Sequence, residues 1–585
     1  MKKLFIIHIL LTMPLLAWCD NITFADAEVK AICVKNWDAN GDGELSYEEA
    51  AAVTDLGTVF NSSAIIKSFD ELQYFVGLRS IRKESFKNCN SLISVSIPTS
   101  VTSIGQSAFY RCSSLTSIDI PTSVTSIGGY AFSGCSSLTS IDIPNSVNSI
   151  ERETFYKCSS LTSVILPNSL TAIGIQAFQY CSSLTSVTIP NSVITIGQSA
   201  FRDCSSLASI TIPNSVTSIE GFAFASCPRL TSLILPNSLS SMDDKVFWNS
   251  PEMRLIIVES TKPFSIQSET FPSSCVIFVP NGCKEVYQSV ALWNNYTISD
   301  QNPDEAIVFA DTKVKEICVK NWDTNGDGEL SYGEAALVSS VQQVFSNNTD
   351  ITSFDELQYF YTLNSIEEYA FDKCTNLKSV KLPDNLKKIG KYAFGNCNAL
   401  KSIVIPKSVN SIYWYRVSSS GHTTIYYCNP FIECNSLESI VVESGNESFD
   451  SRDNCNAIIE KSTNTLVSGC KNTVIPNSVR ILGFSAFVGC EDLVSVVIPY
   501  NVSDIQKGAF ADCKNLSMIT IDGGIKMFSG TMLPDDYWYG KIIKGTFEGC
   551  SNLKKVIVKN LADWSKSVFG DSPLDYTHHL YSDEK

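Results

Sequence analysis

Two short stretches hold the residues best suited to chemistry. DANGDGELSYEE spans 38–49, and DTNGDGELSYGE spans 323–334, 285 residues further on. Counted as twelve positions, the first puts oxygen side chains at 1, 3, 5, 9 and 12 (Asp38, Asn40, Asp42, Ser46, Glu49) and the main-chain carbonyl of Glu44 at 7. Gly43 permits a sharp turn, and Leu45 is an apolar anchor. The second copy fills every slot again with Asp323, Asn325, Asp327, Glu329, Ser331 and Glu334, and Gly328 takes the turn. Gly333 stands where the first copy has Glu48, at a position that supplies no ligand. Carboxylate, amide and carbonyl oxygens without sulfur or imidazole suit a hard cation, Ca²⁺ ahead of zinc or copper. The bland alternative is an acidic Asn/Gly turn that holds no ion. Two complete copies of the ligand set argue against it.

Such a loop needs rigid elements on both sides. FADAEVKAICVKNW puts Val29, Ile32 and Cys33 on one face at helical spacing, and SYEEAAAV continues as a helix after the loop. Helix, loop and helix together resemble an EF-hand, or one loop of a dockerin-like module. EF-hands usually work in pairs, and dockerins carry two loops close together. Here each half of the chain has a single loop, and SFDELQYF, beginning at Ser68 and again at Ser353, leads on into repeats. The expectation is a small helical unit over 20–60, and another over 301–345, each docked as the N-terminal cap of its repeats. That favours a structural role for the ion over a sensing role.

The repeats keep time. Cys89, Cys112, Cys135, Cys158, Cys181, Cys204 and Cys227 are each 23 residues apart. From Cys112 the unit reads CSSLTSIDIPTSVTSIGGYAF, in which Leu115, Ile118 and Ile120 lead to Pro121, Val124, Ile127, Ala131 and Phe132. A fixed period in the twenties with this apolar spacing marks a leucine-rich-repeat solenoid. Each coil is too small to bury its own apolar face, so stacked coils share one core. The wording of the coil, C-x-x-L-x-x-I-x-I-P-x-x-V-x-x-I-x-x-x-A-F, resembles the bacterial BspA-like, Treponema-type leucine-rich repeats over about two-thirds of the chain. The resemblance implies a surface protein associated with adhesion to host matrix proteins, host cells or other bacteria. The fold class is therefore two mainly β repeat solenoids, each preceded by a helical unit.

The chain has 21 cysteines, but those on the ladder read as small buried hydrophobes pointing one way, which suits stacking better than the crossed geometry of a disulfide. The next step of the period lands on Ser250, where the clock stops; the solenoid is set at 61–250 and a C-terminal cap at 251–300. Cys275 and Cys283 lie off the ladder, and a local disulfide between them is left open. The second solenoid, 346–585, resumes with Cys374, Cys397, Cys434, Cys490, Cys513 and Cys550. Two of its steps measure 37 residues, one period plus an insertion of 14. One insertion carries Tyr413, Trp414, Tyr415, Arg416, Tyr426 and Tyr427, and the other Tyr537, Trp538 and Tyr539 beside Asp535 and Asp536. Both should leave the solenoid from the same edge. Such aromatic loops suit a protein or sugar contact, unless they fold back over the edge. Between Cys434 and Cys490, GNESFDSRDNCNAIIEKSTNTLVSGC reads as a hairpin-like variant coil.

Charge and leader bound the setting. Lys and Arg number 44 against 60 Asp and Glu, for a net charge of −16, which argues against nucleic acid as a partner. Lys2 and Lys3, the apolar run LFIIHILLTMPLLAW, and Ala17-Trp18-Cys19 read as a signal peptide over 1–19, so the protein is expected to be secreted or at a cell surface. A lipid anchor at Cys19 is the competing reading, and Trp18 is the wrong neighbour for that processing. No later apolar run is long enough to span a membrane. His422, His578 and His579 come after the leader, the last two in a tail with no cysteine or carboxylate at metal spacing nearby, and no Gly-x-Ser-x-Gly, His-Glu-x-x-His or P-loop stretch occurs, so no enzyme is expected. The front column Ser94, Ser117, Ser140, Ser163, Ser186, Ser209 and Ser232 and its neighbour Ser96, Asp119, Asp142, Ile165, Thr188, Thr211 and Ile234 are mostly bland. They suit a scaffold or a weak multivalent binder. Three readings of function stay open: protein interaction or adhesion, carbohydrate capture by the aromatic insertions, and calcium-dependent assembly.

Overall fold

A computed structural model describes residues 20–412, 429–523 and 545–560 in full. It adds the backbone of the strands Tyr413–Ser419, His422–Tyr427, Met527–Ser529, Tyr537–Trp538, Lys541–Ile542 and Leu580–Ser582. The leader with Cys19, Tyr539, and His578 and His579 lie outside the described residues. The chain divides into two compact units, Met1–Gln301 and Asn302–Lys585.

In the first unit α1 (Ala27–Trp37) and α2 (Tyr47–Ala52) precede the coils. A coil is best seen between Leu138 and Cys158. The strand Ser140–Asp142 turns Ile141 inward and Ser140 and Asp142 outward, the period-two alternation of a half-buried strand. At Pro144 the chain turns, and the Pro144 carbonyl accepts the Val147 N–H at 3.0 Å. A second strand, Ser149–Ile150, comes next, then an edge turn that buries Phe155 and Cys158. So short a strand has no partner within its own coil. Its amides must bond to the next coil, and they do so in parallel register 23 residues away: Ser140 with Ser163, Ser149 with Ala172. The edge turn makes a third ladder, with Glu153 and Phe155 N–H groups donating to the Ile175 and Ala177 carbonyls at 2.9 Å.

Ten phenylalanine rings stack through this core: Phe60, then Phe86, Phe109, Phe132, Phe155, Phe178, Phe201, Phe224, Phe247 and Phe271, with centroids 5.2–6.2 Å apart. The cysteines have a further part that spacing did not reveal. From Cys112 to Cys227 each ladder thiol donates to the carbonyl of the phenylalanine 26 residues earlier, as Cys158 does to Phe132 and Cys227 to Phe201, both at 3.2 Å, and Cys89 donates to Phe60, 29 residues earlier. The ladder therefore does not stop at Ser250. Its hydroxyl donates to the Phe224 carbonyl at 3.1 Å, in the place of a thiol. Burial pushes the thiols of Cys135 and Cys227 up to about 12, so they stay protonated and unreactive.

Beyond Ser250 the front sheet runs on through Ser232–Leu235, Leu255–Val258, Val276–Phe278 and Thr297–Ser299, all parallel. The helix α3 (Lys284–Gln288) and the buried Trp293 and Tyr296 close the core, their rings 5.7 and 5.4 Å from Phe271. Cys275 and Cys283 are both free. No disulfide joins them, because the Cys275 thiol is buried and donates to the Met253 carbonyl at 3.0 Å while Cys283 lies half-exposed at the start of α3.

The second unit repeats the plan with α4 (Thr312–Trp322) and α5 (Tyr332–Leu337). Its rings stack from Phe345 through Phe371 and Phe394 to Phe431, and again from Phe487 through Phe510 to Phe547. Between the two stacks lies the variant coil, a true hairpin: Ala457–Glu460 pairs antiparallel with Thr465–Gly469. Both strands are buried on both faces. Ile458 and Val467 enter one core, whereas Ala457, Ile459 and Leu466 enter the other. Buried Asn429 ties the two sides, donating to the Ser485 and Ala486 carbonyls at 3.2 and 3.1 Å and accepting from Ser468 at 2.7 Å.

Candidate functional site

Each oxygen-rich loop is held by its two helices and by a strap to the first coil. Asp26 caps α1, its carboxylate accepting the Glu28 and Val29 N–H groups at 2.9 and 3.3 Å. Its other oxygen accepts the Lys67 N–H at 2.5 Å, at the edge of the strand Ser68–Phe69. Burial alone would raise the Asp26 carboxyl, but these amides outweigh it and hold the group below its ordinary value. Glu71 accepts the Ala25 N–H at 2.9 Å, and Trp37 packs on Phe60 and Phe75 at 6.1 and 5.6 Å. The second unit repeats the strap with Asp311 on Thr352 at 2.6 Å and Glu356 on Ala310 at 2.9 Å. The helical units thus sit on the first coils.

Within the first loop, Asp38 accepts the Gly41 and Gly43 N–H groups at 2.6 and 2.9 Å. Asn40 accepts from Asp42 N–H, and Asp42 from Glu44 N–H, both at 2.8 Å. Glu49 closes the ring: one oxygen takes the Ala39 and Asn40 amides at 2.9 and 3.1 Å, the other the Ser46 amide and hydroxyl at 2.9 Å. Gly43 has φ 83°, the left-handed region that favours glycine. In the second loop Asp323, Asn325, Asp327, Ser331 and Glu334 make the same bonds, and Thr324 adds its hydroxyl to Glu334 at 2.9 Å. Lys30 pairs with Glu44 at 2.6 Å and Lys315 with Glu329 at 2.6 Å, which leaves the main-chain carbonyl of each as the ligand-type atom at that slot. The Ser46 N–H holds Glu49 below its ordinary value, against a smaller opposing effect of burial. For Glu334 burial is the largest influence and would raise it, but the Ser331 and Thr324 donors prevail and lower it.

The donor set is all hard oxygen and suits Ca²⁺. With each carboxylate turned onto amides, no group of three His, Cys, Asp or Glu side chains is gathered at metal-holding distance among the described residues. A single loop also lacks the partner loop that a paired EF-hand would offer at its eighth position. The chain supplies one itself. The Ile22 N–H donates to the Leu45 carbonyl at 2.8 Å beside an antiparallel bridge of Asn21 with Ser46, and Ile307 does the same to Leu330 at 2.8 Å. Sequence spacing carried no sign of this. It also left Gly333 unexplained. The Gly333 N–H donates to the Pro303 carbonyl at 2.8 Å, and a Cβ there would stand 2.9 Å from that oxygen.

Tyr413, Trp414 and Tyr415 lie on the strand Tyr413–Ser419, paired antiparallel with His422–Tyr427, while Tyr537 and Trp538 pair antiparallel with Lys541–Ile542. The front columns are exposed as the alternation requires, with Ile165 and Ile234 the apolar exceptions at 63% and 49% exposure. No described helix is long and apolar enough to cross a membrane.

Similarity to known proteins runs along the coils. The model of the BspA type leucine-rich repeat region matches residues 79–207, 171–290, 340–457 and 459–580. A leucine-rich repeat protein from Bacteroides ovatus is 24% identical over 83% of this chain and 88% of its own, with a TM-score of 0.26. A leucine-rich cell surface protein from Faecalibacterium prausnitzii is 22% identical over 85% of this chain and 86% of its own, with a TM-score of 0.23. The T. pallidum leucine-rich repeat protein is 32% identical over 28% of this chain and 67% of its own, with a TM-score of 0.21. No curated protein shows significant similarity to the chain. With the family's coil matched along most of its length, the chain belongs to the BspA type leucine-rich repeat proteins.

Proposed function

We propose that this is an exported, surface-exposed interaction protein whose two solenoids present repeated strand faces to a protein partner, and whose helical caps bind Ca²⁺ to stiffen the start of each solenoid. The observation that supports it best is the strap. The elements that flank each loop are bonded to the first coil through Asp26 and Asp311, so an ion in the loop would lock the end of the solenoid and leave the strand faces free. Asp38, Asn40, Asp42, Glu44, Ser46 and Glu49, and Asp323, Asn325, Asp327, Glu329, Ser331 and Glu334, would hold the two ions. Weak extracellular sites, with dissociation constants of about 10⁻⁴–10⁻³ M, suffice for this role.

The test has two arms. Melting curves with Ca²⁺ and with excess chelator should differ, and Asp38→Ala combined with Asp323→Ala should remove the difference; coincident curves for the native chain defeat the calcium reading. A binding screen against extracellular matrix proteins, with and without Ca²⁺, tests the adhesive role. Adhesion then shows as binding that persists with chelator at low temperature. Binding that vanishes with calcium would point to calcium-dependent assembly instead.

A further inference from the structure

We infer that the first unit carries a carbohydrate site at its C-terminal end, centred on Trp248 and separate from the loops and from the aromatic insertions. A cavity of about 420 Å³ opens there, lined by Trp248, Asn249, Ser268, Glu269, Asn295 and Tyr296 among others. That volume lies in the range of small-ligand pockets, about 300–1,000 Å³.

The cavity exists because the edge ladder runs out. Coil after coil, the amide at this point of the turn donates to the next coil: Asp203 N–H to the Ala225 carbonyl at 2.9 Å, Ser226 N–H to the Trp248 carbonyl at 2.7 Å. The series ends at Asn249, whose N–H has no partner among the described residues. After Phe271 the chain turns to cap the core and no further edge turn covers the spot.

Trp248 is large, apolar and 49% exposed, at the point where the edge ladder of the first unit ends. Arg202 and Phe222, from preceding coils, pack against the indole at 5.9 and 6.4 Å from its centre, the Phe222 ring edge-on. The cavity lies on the side of the later residues 268–273. A half-exposed indole held by these neighbours at the rim of a cavity is a platform for a flat apolar surface. The rest of the lining is mixed: Phe247, Pro251, Phe271 and Pro272 extend the apolar wall, and Asn249, Asn295 and Glu269 set amide and carboxylate groups among them that can bond to hydroxyls at close range. Glu269 is paired with Lys245 at 3.7 Å, so the pocket has no strong net field for a charged ligand. A pyranose ring of a neutral oligosaccharide fits this lining: its C–H face on the indole, its hydroxyls on Asn249, Asn295, Glu269 and the open Asn249 N–H. An apolar peptide side chain would use the indole but leave those polar groups facing it unpaired.

The test uses the full mature chain and isothermal titration calorimetry with the tetrasaccharides of α-1,4-glucose, β-1,4-glucose, β-1,3-glucose and β-1,4-N-acetylglucosamine. At least one should bind. Trp248→Ala should weaken that binding by about tenfold or more, the loss of one good stacking contact, and Trp248→Phe should fall between. Trp414→Ala should bind as the native chain does. Melting curves of the Trp248 variants should match the native chain, since the indole is half-exposed. Binding of none of these sugars, or equal binding by Trp248→Ala, overturns the proposal; so does a loss confined to Trp414→Ala, which would place the sugar on the insertion. None of these results bears on the calcium shift.

Discussion

The two units start alike and end differently. The first keeps the 23-residue period from Cys89 to Cys227, and its buried residues form one cluster from Ile22 to Ile298. The second admits the hairpin coil, and its core falls into two large clusters, one from Ile307 to Cys470 and one from Cys455 to Val558, with a small third cluster of Tyr392, Ile432, Val488 and Ala511 along the edge turns. The ring stack shows why. It needs one phenylalanine per coil at one height, and the hairpin puts aliphatic residues there instead. A strict repeat thus makes one long nearest-neighbour chain of coils, while a single variant coil makes a wall with a side facing each core.

Alanine in the ring stack should expose this difference most strongly. Phe155→Ala and Phe371→Ala should each cost about 3–5 kcal/mol, as large-to-small changes in packed cores do. In the first unit the loss should spread, so that amide hydrogen exchange rises in coils on both sides of Phe155. In the second it should reach the hairpin and leave the amides of 487–558 protected. Uniform loss of protection through the second unit would break the idea of a wall.

The caps should respond next, and here the units should agree. With Ca²⁺ at one hundred times the dissociation constant, each loop would gain about 2.7 kcal/mol. Asp38→Ala and Asp323→Ala should each remove one half of the thermal shift. A shift carried wholly by one loop would mean that Gly333 against Glu48, with Pro303 held on the glycine, changes the site.

The thiol ladder should give a smaller effect. Cys158→Ala should cost about 1–2 kcal/mol, from a small cavity and a lost hydrogen bond. Cys158→Ser should cost less, because Ser250 shows that a hydroxyl reaches the same carbonyl. Equal losses for both variants would reduce the thiol to packing alone.

Much of this was legible in the sequence because it is local or periodic. The coil, its inward and outward residues and the helices that flank the oxygen-rich loops each arise from spacing within about one period. What spacing concealed are contacts between residues far apart that occur only once or twice. Asp26 meets Lys67, 41 residues on, and Glu71 meets Ala25, 46 residues back. Ser250 was hidden for another reason: serine and cysteine share a shape and a donor, but a search for a column of cysteines stops at the first different letter. The hairpin was visible as a variant coil. That its two strands would bury both faces was not, because a short apolar run reads the same whether one side or two are covered.

Acid should act on the straps, the smallest effect and the one that compares the units most directly. Asp26 and Asp311 are both held below their ordinary carboxyl value: burial would raise them, and the amides of Lys67 and Val29, or the Thr352 hydroxyl with the amides of Thr352 and Val314, overcome it. A lowered folded value means that the native state binds fewer protons than the unfolded chain. The stabilisation is therefore complete above the ordinary carboxyl value of 3.8 and drains away as pH falls through the folded value. Each strap is also a helix N-cap, and such caps are worth about 1 kcal/mol. Asp26→Asn keeps the cap acceptor but loses the charge, so it should leave the first unit a little less stable at pH 7 and flatten its melting temperature between pH 5 and pH 3. Asp311→Asn should do the same for the second unit, with a further loss because the Thr352 hydroxyl, 2.7 Å away, also donates to that carboxylate. Equal acid sensitivity in the native chain and in both variants would show that the straps do not set the stability of the caps.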